Sequence, residues 1–111
     1  MTDRELLEMA AKAAGYEING YSERYGALVN EADGVSMWWN PLTNDEEALR
    51  LVVKLRIHIT NSQSDARATT LYVTAIEPLT NGPYATTRRA IVRAAAEIGK
   101  QIEGDQHDTD T

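Results

Sequence analysis

The segment 83–102 constrains the fold of this chain more than any other segment does. Apolar side chains recur in it at helical spacing, and Pro83 suits the first turn of a helix. The apolar stripe consists of Tyr84, Ile91, Ala95, Ile98 and Ile102, with Ala90, Ala94 and Ala96 beside it. Because the alanines make this helix slim, it can lie close on a sheet that covers the stripe. The segment therefore predicts a domain built from layers of helix and sheet.

The N-terminal residues predict a second helix. Thr2 and Glu5 have the spacing of a capping box, in which each side chain accepts a hydrogen bond from the backbone N–H group of the other residue. Apolar residues then recur at helical spacing up to Ala14, and Gly15 can take the left-handed conformation that ends a helix. We therefore expect a helix over residues 3–14.

A middle helix is predicted to follow Pro41. Thr43 and Glu46 repeat the capping-box spacing, and acidic residues in the first turn suit the positive end of the helix dipole. Glu46, Arg50 and Lys54 lie four residues apart on one face, in the order that favours ion pairs. The remaining side chains of this helix are apolar, which predicts burial against more than one neighbour.

Extended segments fill the intervals between the helices. A short strand near 16–20 precedes a predicted hairpin, with strands 27–31 and 35–39 and a turn at 32–34. After the middle helix we expect a strand 56–60, a polar loop 61–67 and a longer strand 68–78, paired as a second hairpin.

The order α-β-β-(β)-α-β-β-α predicts an α+β fold. We expect an α-β-α layered sandwich, with three helices on a mainly antiparallel sheet of hairpins. Residues 1–103 would form this single domain. The segment 104–111 has no apolar side chain after Gly104 and is predicted to be a disordered acidic tail.

Composition excludes several classes of protein. The formal net charge of −6 argues against a nucleic acid polymer as the partner, since phosphates would be repelled. The chain has no cysteine, so disulfides and cysteine-based zinc sites are excluded. No apolar run approaches the roughly 18 residues of a membrane span, and the polar N-terminus is unlike a signal peptide. These features favour a soluble protein in the cytoplasm without a membrane partner.

Residues that commonly carry catalysis or bind metals form no recognisable set. His58 lies on a predicted strand, where we expect an ordinary polar surface residue. The acidic residues 45–47 are explained by their position at a helix N-terminus. Glycine loops that bind phosphate and serine nucleophile motifs are lacking. We therefore expect no enzymatic activity, no cofactor and no metal.

Two adjacent tryptophans, Trp38 and Trp39, precede the middle helix in a chain without phenylalanine. Neighbours in a strand point to opposite faces, so the two indoles cannot face the same way. If layers cover both faces, both indoles are core residues. If one face is open, one indole is an exposed surface for a ligand or a partner. The sequence leaves these alternatives open.

Three arginines of the last helix are candidate ligand contacts. Arg89 and Arg93 lie on its polar face, where Arg93 can pair with Glu97. Arg88 falls in register with Tyr84 at the edge of the apolar stripe, so its guanidinium must reach solvent, pair with a carboxylate or bind an anion. The N–H groups at the helix start also attract anions. A structural salt bridge and an anion site remain as alternatives.

Two long segments carry a family resemblance. They are "WNPLTNDEEALRLVVKLRIHI" (39–59) and "NGPYATTRRAIVRAAAEIGK" (81–100), joined by "ELLEMAAKAAG" near the N-terminus. Through them the chain resembles, from about Asp3 to Lys100, the small bacteriophage and prophage proteins of the phage ABA sandwich domain family. The resemblance implies a helix–sheet–helix sandwich and a phage or prophage origin, and it implies no enzymatic activity. The loop "NSQSDAR" and the tail depart from the family pattern.

The sequence therefore supports two functions. The first is a non-enzymatic binder of a small anionic or nucleotide-like ligand, in which an indole stacks on a base and arginines hold a phosphate. Its predicted contacts are Trp38, Trp39, Tyr84, Arg88, Arg89 and Arg93. The alternative is a protein-interaction or homo-oligomerising module, which would bury an indole and the last helix against a second copy or a host protein. Either would act in the host cytoplasm if a phage encodes it.

Overall fold

The computed structural model describes residues 1–30, 34–71, 73–80 and 82–109, with side chains described through Gly104. It contains three helices and six strands in the order helix, three strands, helix, three strands, helix. The elements are α1 (Asp3–Ala14), β1 (Glu17–Ser22), β2 (Gly26–Asn30), β3 (Ser36–Trp39), α2 (Asp45–Leu55), β4 (His58–Asn61), β5 (Asp65–Thr69), β6 (Thr74–Pro78) and α3 (Pro83–Thr109). The predicted α+β class with three helices is confirmed.

The strands form two antiparallel sheets of three strands each. The first has the order β1-β2-β3 and the second the order β4-β5-β6. Helix α1 packs on the first sheet, α3 packs on the second sheet, and α1 and α3 pack extensively against each other. Helix α2 packs mainly against α3. The predicted antiparallel pairing is thus confirmed, and it is divided between two sheets.

Helix α1 begins and ends where the sequence predicts. The Thr2 hydroxyl accepts a hydrogen bond from the Glu5 backbone at 3.2 Å, and the Glu5 carboxylate accepts one from the Thr2 backbone at 3.5 Å. Gly15 ends the helix in the left-handed region, with φ of 82°. Local hydrogen bonding alone fixes both ends, which is why these predictions succeed.

The predicted start of α2 is wrong by one residue. Asn44, rather than Thr43, is the N-cap, because its side-chain oxygen accepts a hydrogen bond from the Glu47 backbone at 3.0 Å. Thr43 instead belongs to the preceding turn, in which its backbone N–H donates to the carbonyl of Asn40. Both residues are good caps, so the choice depends on the path of this turn.

The second sheet has one strand more than predicted. Strand β5 begins inside the predicted polar loop 61–67, and the predicted strand 68–78 is broken before β6. In β5 the buried side chains are Ala66 and Ala68, which let the strand lie close to α3. Alanine favours strands weakly, so this alternation does not by itself indicate a strand. The backbone N–H of Thr70 donates to the carbonyl of Val73 at 2.7 Å, and the backbone N–H of Val73 donates to the Thr70 hydroxyl at 3.1 Å, which closes the turn to β6.

The predicted burial of α2 on several sides is wrong. Ala48 and Leu51 are buried, whereas Leu49 and Val53 are 61% and 71% exposed. The helix therefore has one covered face and one open apolar face, since its main packing partner is α3.

Helix α3 is longer than predicted and ends at Thr109 rather than near Ile102. It includes the first residues of the segment 104–111, for which the composition predicts disorder. The described part of the chain excludes residues 110 and 111 and the side chains from 105 onward. It also excludes residues 31–33, which contain most of the predicted hairpin turn.

The helix pair α1–α3 depends on one close approach. A Cβ atom at Gly99 would lie 1.9 Å from the carbonyl oxygen of Met9. Around it the buried positions of both helices are mostly alanine, including Ala10, Ala11 and Ala95. Small side chains let the two backbones meet, and the buried alanines of both helices belong to the hydrophobic core.

Candidate functional site

The two tryptophans have opposite environments. In the pairing of β2 with β3, Trp39 lies opposite Ala27 and Trp38 lies opposite Leu28. Trp39 is 1% exposed, and its ring meets that of Tyr16 edge-to-face at 5.6 Å. Trp38 is 46% exposed. Of the two alternatives that the sequence left open, the structure shows the one with a single exposed indole.

An aromatic neighbour and a cation accompany the exposed indole. The ring of Tyr25, 49% exposed, lies 5.5 Å from the ring of Trp38 at an interplanar angle of 34°. The guanidinium carbon of Arg24 lies 5.2 Å from the centroid of the Tyr25 ring. We call Arg24, Tyr25 and Trp38 the aromatic platform. It places two half-exposed aromatic rings and one positive charge on the surface of the first sheet.

The turn between β1 and β2 positions this platform. The Ser22 hydroxyl accepts hydrogen bonds from the backbone of Arg24 at 3.2 Å and of Tyr25 at 3.3 Å. Gly26 follows with φ of 89°, and a Cβ atom there would lie 2.7 Å from the carbonyl oxygen of Trp39. Only glycine combines this backbone angle with so close an approach, and the turn therefore brings Tyr25 back over β3.

Arg88 forms a structural salt bridge. Its Nη1 atom donates to Asp45 Oδ1 at 2.7 Å, and its Nε atom donates to the backbone carbonyl of Leu42 at 2.8 Å. These contacts join the start of α3 to the start of α2. The guanidinium is largely covered, and its charge is balanced by the carboxylate. The structure thus shows the salt bridge that was one of the two alternatives for this residue.

Arg89 and Arg93 meet at one carboxylate. The Glu77 Oε1 atom lies 2.9 Å from Arg93 Nη1 and 3.5 Å from Arg89 Nε. Arg89 also pairs with Asp3 at 3.1 Å. Arg93 does not pair with Glu97. Instead it turns toward β6, and Glu97 pairs with Lys100 at 3.1 Å. Both arginines thus connect α3 to other elements.

Tyr84 lies at an open groove rather than under a sheet. It is 75% exposed, at the start of α3, where the groove runs between α2, β4 and α3 with a volume of about 570 Å³. Arg88, Leu49 and Ile59 also line this groove. Tyr84 therefore lies outside the buried stripe in which the sequence placed it, because the second sheet does not cover the first turn of α3.

The six predicted contacts consequently do not form one site. Trp38 lies on the first sheet and Trp39 in the core, Tyr84 and Arg88 line the groove, and Arg89 and Arg93 surround Glu77. Sequence reasoning missed Arg24 and Tyr25. Nothing in their spacing indicates a contact with Trp38, since the contact depends on the strand pairing and on the turn at Gly26.

A perturbed carboxyl group lies at the start of β5, next to the turn from β4. Asp65 accepts hydrogen bonds from Arg67 at 3.3 and 3.4 Å and from the Ser62 hydroxyl at 3.2 Å. The hydrogen bond from Arg67 is the main reason why the pKa of Asp65 lies below its usual value, and partial burial acts in the opposite direction. The group holds the turn together. Within the described part of the chain, no three His, Cys, Asp or Glu residues cluster as metal ligands would.

Comparisons with protein-family models, with curated proteins and with solved structures find no significant match to this chain. The resemblance to the phage ABA sandwich family therefore stays a prediction. Among the helices of the described residues, none is both long enough and apolar enough to cross a membrane.

Proposed function

We propose that this chain is a non-enzymatic binding protein whose aromatic platform takes a small anionic ligand with a flat ring, of the nucleotide-like class. The observation that carries the proposal is the exposed indole of Trp38 beside the exposed ring of Tyr25, with Arg24 at the edge. Stacking a base on an aromatic side chain is worth about 1–3 kcal/mol, and it depends little on which base is bound.

Arg24 supplies the charge that such a ligand needs. Among the described residues no carboxylate forms an ion pair with Arg24, and its guanidinium lies next to a ring. An arginine in this position can donate two hydrogen bonds to a phosphate or carboxylate. Arg88, Arg89 and Arg93 already pair with carboxylates, so the anion-binding role passes from them to Arg24.

The net charge of −6 favours a small anion over a polyanion. Repulsion grows with the number of phosphates that approach the surface, whereas one local cation can hold a single anionic group. Following the family resemblance, we place the protein in a phage or prophage and its ligand among the small metabolites of the host cytoplasm.

A thermal-shift panel of mono-, di- and cyclic nucleotides tests this proposal. A ligand at 100 times its dissociation constant adds about 2.7 kcal/mol of stability, which raises Tm by several degrees. Arg24→Ala and Trp38→Ala should lose the shift. Arg50→Ala removes another exposed arginine, one that pairs with Glu46, and should keep the shift. The absence of a shift across the panel, or a shift that survives Trp38→Ala, would show that the proposal is wrong.

A protein-interaction module is the second candidate. The exposure of Leu49 and Val53 on α2 favours it, because a helix with one covered face normally exposes polar side chains. This surface shares no residue with the aromatic platform.

A further inference from the structure

A hollow of about 620 Å³ lies where the second sheet meets the C-terminal end of α2 and the C-terminal half of α3. Four aliphatic side chains form its apolar wall: Leu55 of α2, Ile98 and Ile102 of α3, and Leu71, which follows β5. Leu71 is 92% exposed, so the protein itself leaves this apolar side chain almost uncovered. Small-molecule sites commonly have this volume and a mainly apolar lining with a few polar groups.

Two side chains that can donate hydrogen bonds to an anion line the same hollow. Arg56 directly follows α2 and His58 is the first residue of β4, and both are exposed. Within the described part of the chain, neither side chain forms a hydrogen bond or an ion pair. A guanidinium and an imidazole can each donate to a carboxylate oxygen. This space, which we call the Arg56 hollow, therefore combines an apolar wall with two donors that lack an acceptor among the described residues.

The charge of the Arg56 hollow differs from that of two other hollows of similar size. Glu8 and Glu17 line a hollow of about 680 Å³ beside α1, and Asp45 lines the groove at Tyr84. None of the described residues that line the Arg56 hollow is acidic. The chain has 17 acidic and 11 basic residues, so most of its surface repels an anion. Of these three hollows, charge therefore favours the Arg56 hollow for an anionic ligand.

The backbone of Arg56 has a conformation that favours glycine. Its φ is 55°, and within the described part of the chain it is the one residue other than glycine with a positive φ. Its backbone N–H donates to the carbonyl of Val52 and so ends α2. Glycine is the usual residue at such a helix end, because a side chain costs free energy in the left-handed region. The helix end thus gives the Arg56 side chain no role, and a role in binding would account for it.

We propose that the Arg56 hollow binds a small organic carboxylate with an alkyl chain, of the medium-chain fatty acid class. Arg56 and His58 donate hydrogen bonds to the carboxylate, and the alkyl chain lies against the aliphatic wall and covers Leu71. One carboxylate group matches the two donors, since each of its oxygens can accept from one of them. The site shares no residue with the aromatic platform, so this inference does not rest on the ligand proposed for Trp38.

A titration of the full chain with octanoate, followed in amide NMR spectra, tests the site. Octanoate should cause saturable shifts at the amides of Arg56, His58 and Leu71. Acetate lacks the alkyl chain and should cause no shift at these amides. Octanol lacks the charge and should bind at least about tenfold more weakly, because it forms no charge-assisted hydrogen bond. Shifts confined to other parts of the chain, or equal affinities for octanoate and octanol, would overturn the inference.

Arg56→Gly separates a binding role from a structural one. Glycine suits φ of 55°, so the variant should unfold at the same or a higher Tm than the wild type. Its affinity for octanoate should nevertheless fall at least about tenfold, because the guanidinium is lost, and its affinity for octanol should not change. An unchanged affinity for octanoate in this variant would contradict the proposed role of Arg56.

A carboxylate placed in the hollow gives a second test. Leu71→Glu changes an exposed residue, so the fold should be preserved, and the added charge should abolish octanoate binding. Val35→Glu is a matched change at an apolar residue exposed near the first sheet and should keep the binding. Trp38→Ala should also keep it, whether or not nucleotides bind. Octanoate binding that survives Leu71→Glu, or that is lost in Trp38→Ala, would place the ligand elsewhere and overturn the inference.

Discussion

Gly99 of α3 lies so close to Met9 of α1 that a side chain at Gly99 would meet the Met9 backbone, with a Cβ–O separation of 1.9 Å. We expect Gly99→Ala to lower the free energy of unfolding by about 1–3 kcal/mol or more, because the helices must move apart. Gly104, in the same helix, has open space around it. Gly104→Ala should be neutral or stabilising in the same urea titration, by up to about 1 kcal/mol. Equal effects of the two substitutions would contradict this packing.

The adjacent tryptophans should differ in their contribution to stability. Trp39→Ala leaves a large cavity in the core and should cost about 3–5 kcal/mol. Trp38→Ala removes the ring contact with Tyr25 and a partly exposed surface, so we expect a loss of about 0.5–1.5 kcal/mol. Chemical denaturation followed by circular dichroism measures both. A larger loss at Trp38 would mean that the face assignment of β3 is reversed.

Strand alternation predicts that the two indoles point apart, but it does not identify the exposed one. That choice depends on which face of the first sheet α1 covers, and this is a tertiary property. The contact of Tyr25 with Trp38 similarly needs the strand register. The ends of α1 could be predicted because Thr2, Glu5 and Gly15 act on their own helix. Strand β5 could not be predicted in the same way. Ala66 and Ala68 have no strong preference for strands, and they are buried there because α3 covers them.

The salt bridge of Arg88 should act on stability and leave ligand binding unchanged. Arg88→Ala removes the contacts with Asp45 and Leu42 that join α3 to α2, and we expect a loss of about 1–2 kcal/mol in thermal unfolding. Asp45→Asn should cost less, because this carboxylate is largely exposed. If Arg88→Ala instead abolished a nucleotide-induced shift in Tm at unchanged stability, the anion site would lie in the groove.

Asp65 gives a prediction about pH. Its pKa is lower in the folded chain than the ordinary value of 3.8, so its ionised form stabilises the fold above that value. The stabilisation is lost as the pH falls through the folded pKa. Unfolding titrations at pH 7 and pH 3 should therefore show a smaller difference between wild type and Asp65→Asn at the lower pH. A difference that does not change with pH would mean that the carboxylate has no role in the turn.

A fluorescence titration tests most directly whether Trp38 stacks on the ring of an anionic ligand. Trp38 is the exposed one of the chain's two indoles, so a bound nucleotide should quench its emission with a saturable curve. Trp38→Phe should lose this quenching while keeping a ring, and Arg24→Ala should weaken binding about tenfold or more. Emission that stays constant up to millimolar nucleotide, or quenching that persists in Trp38→Phe, would contradict the claim.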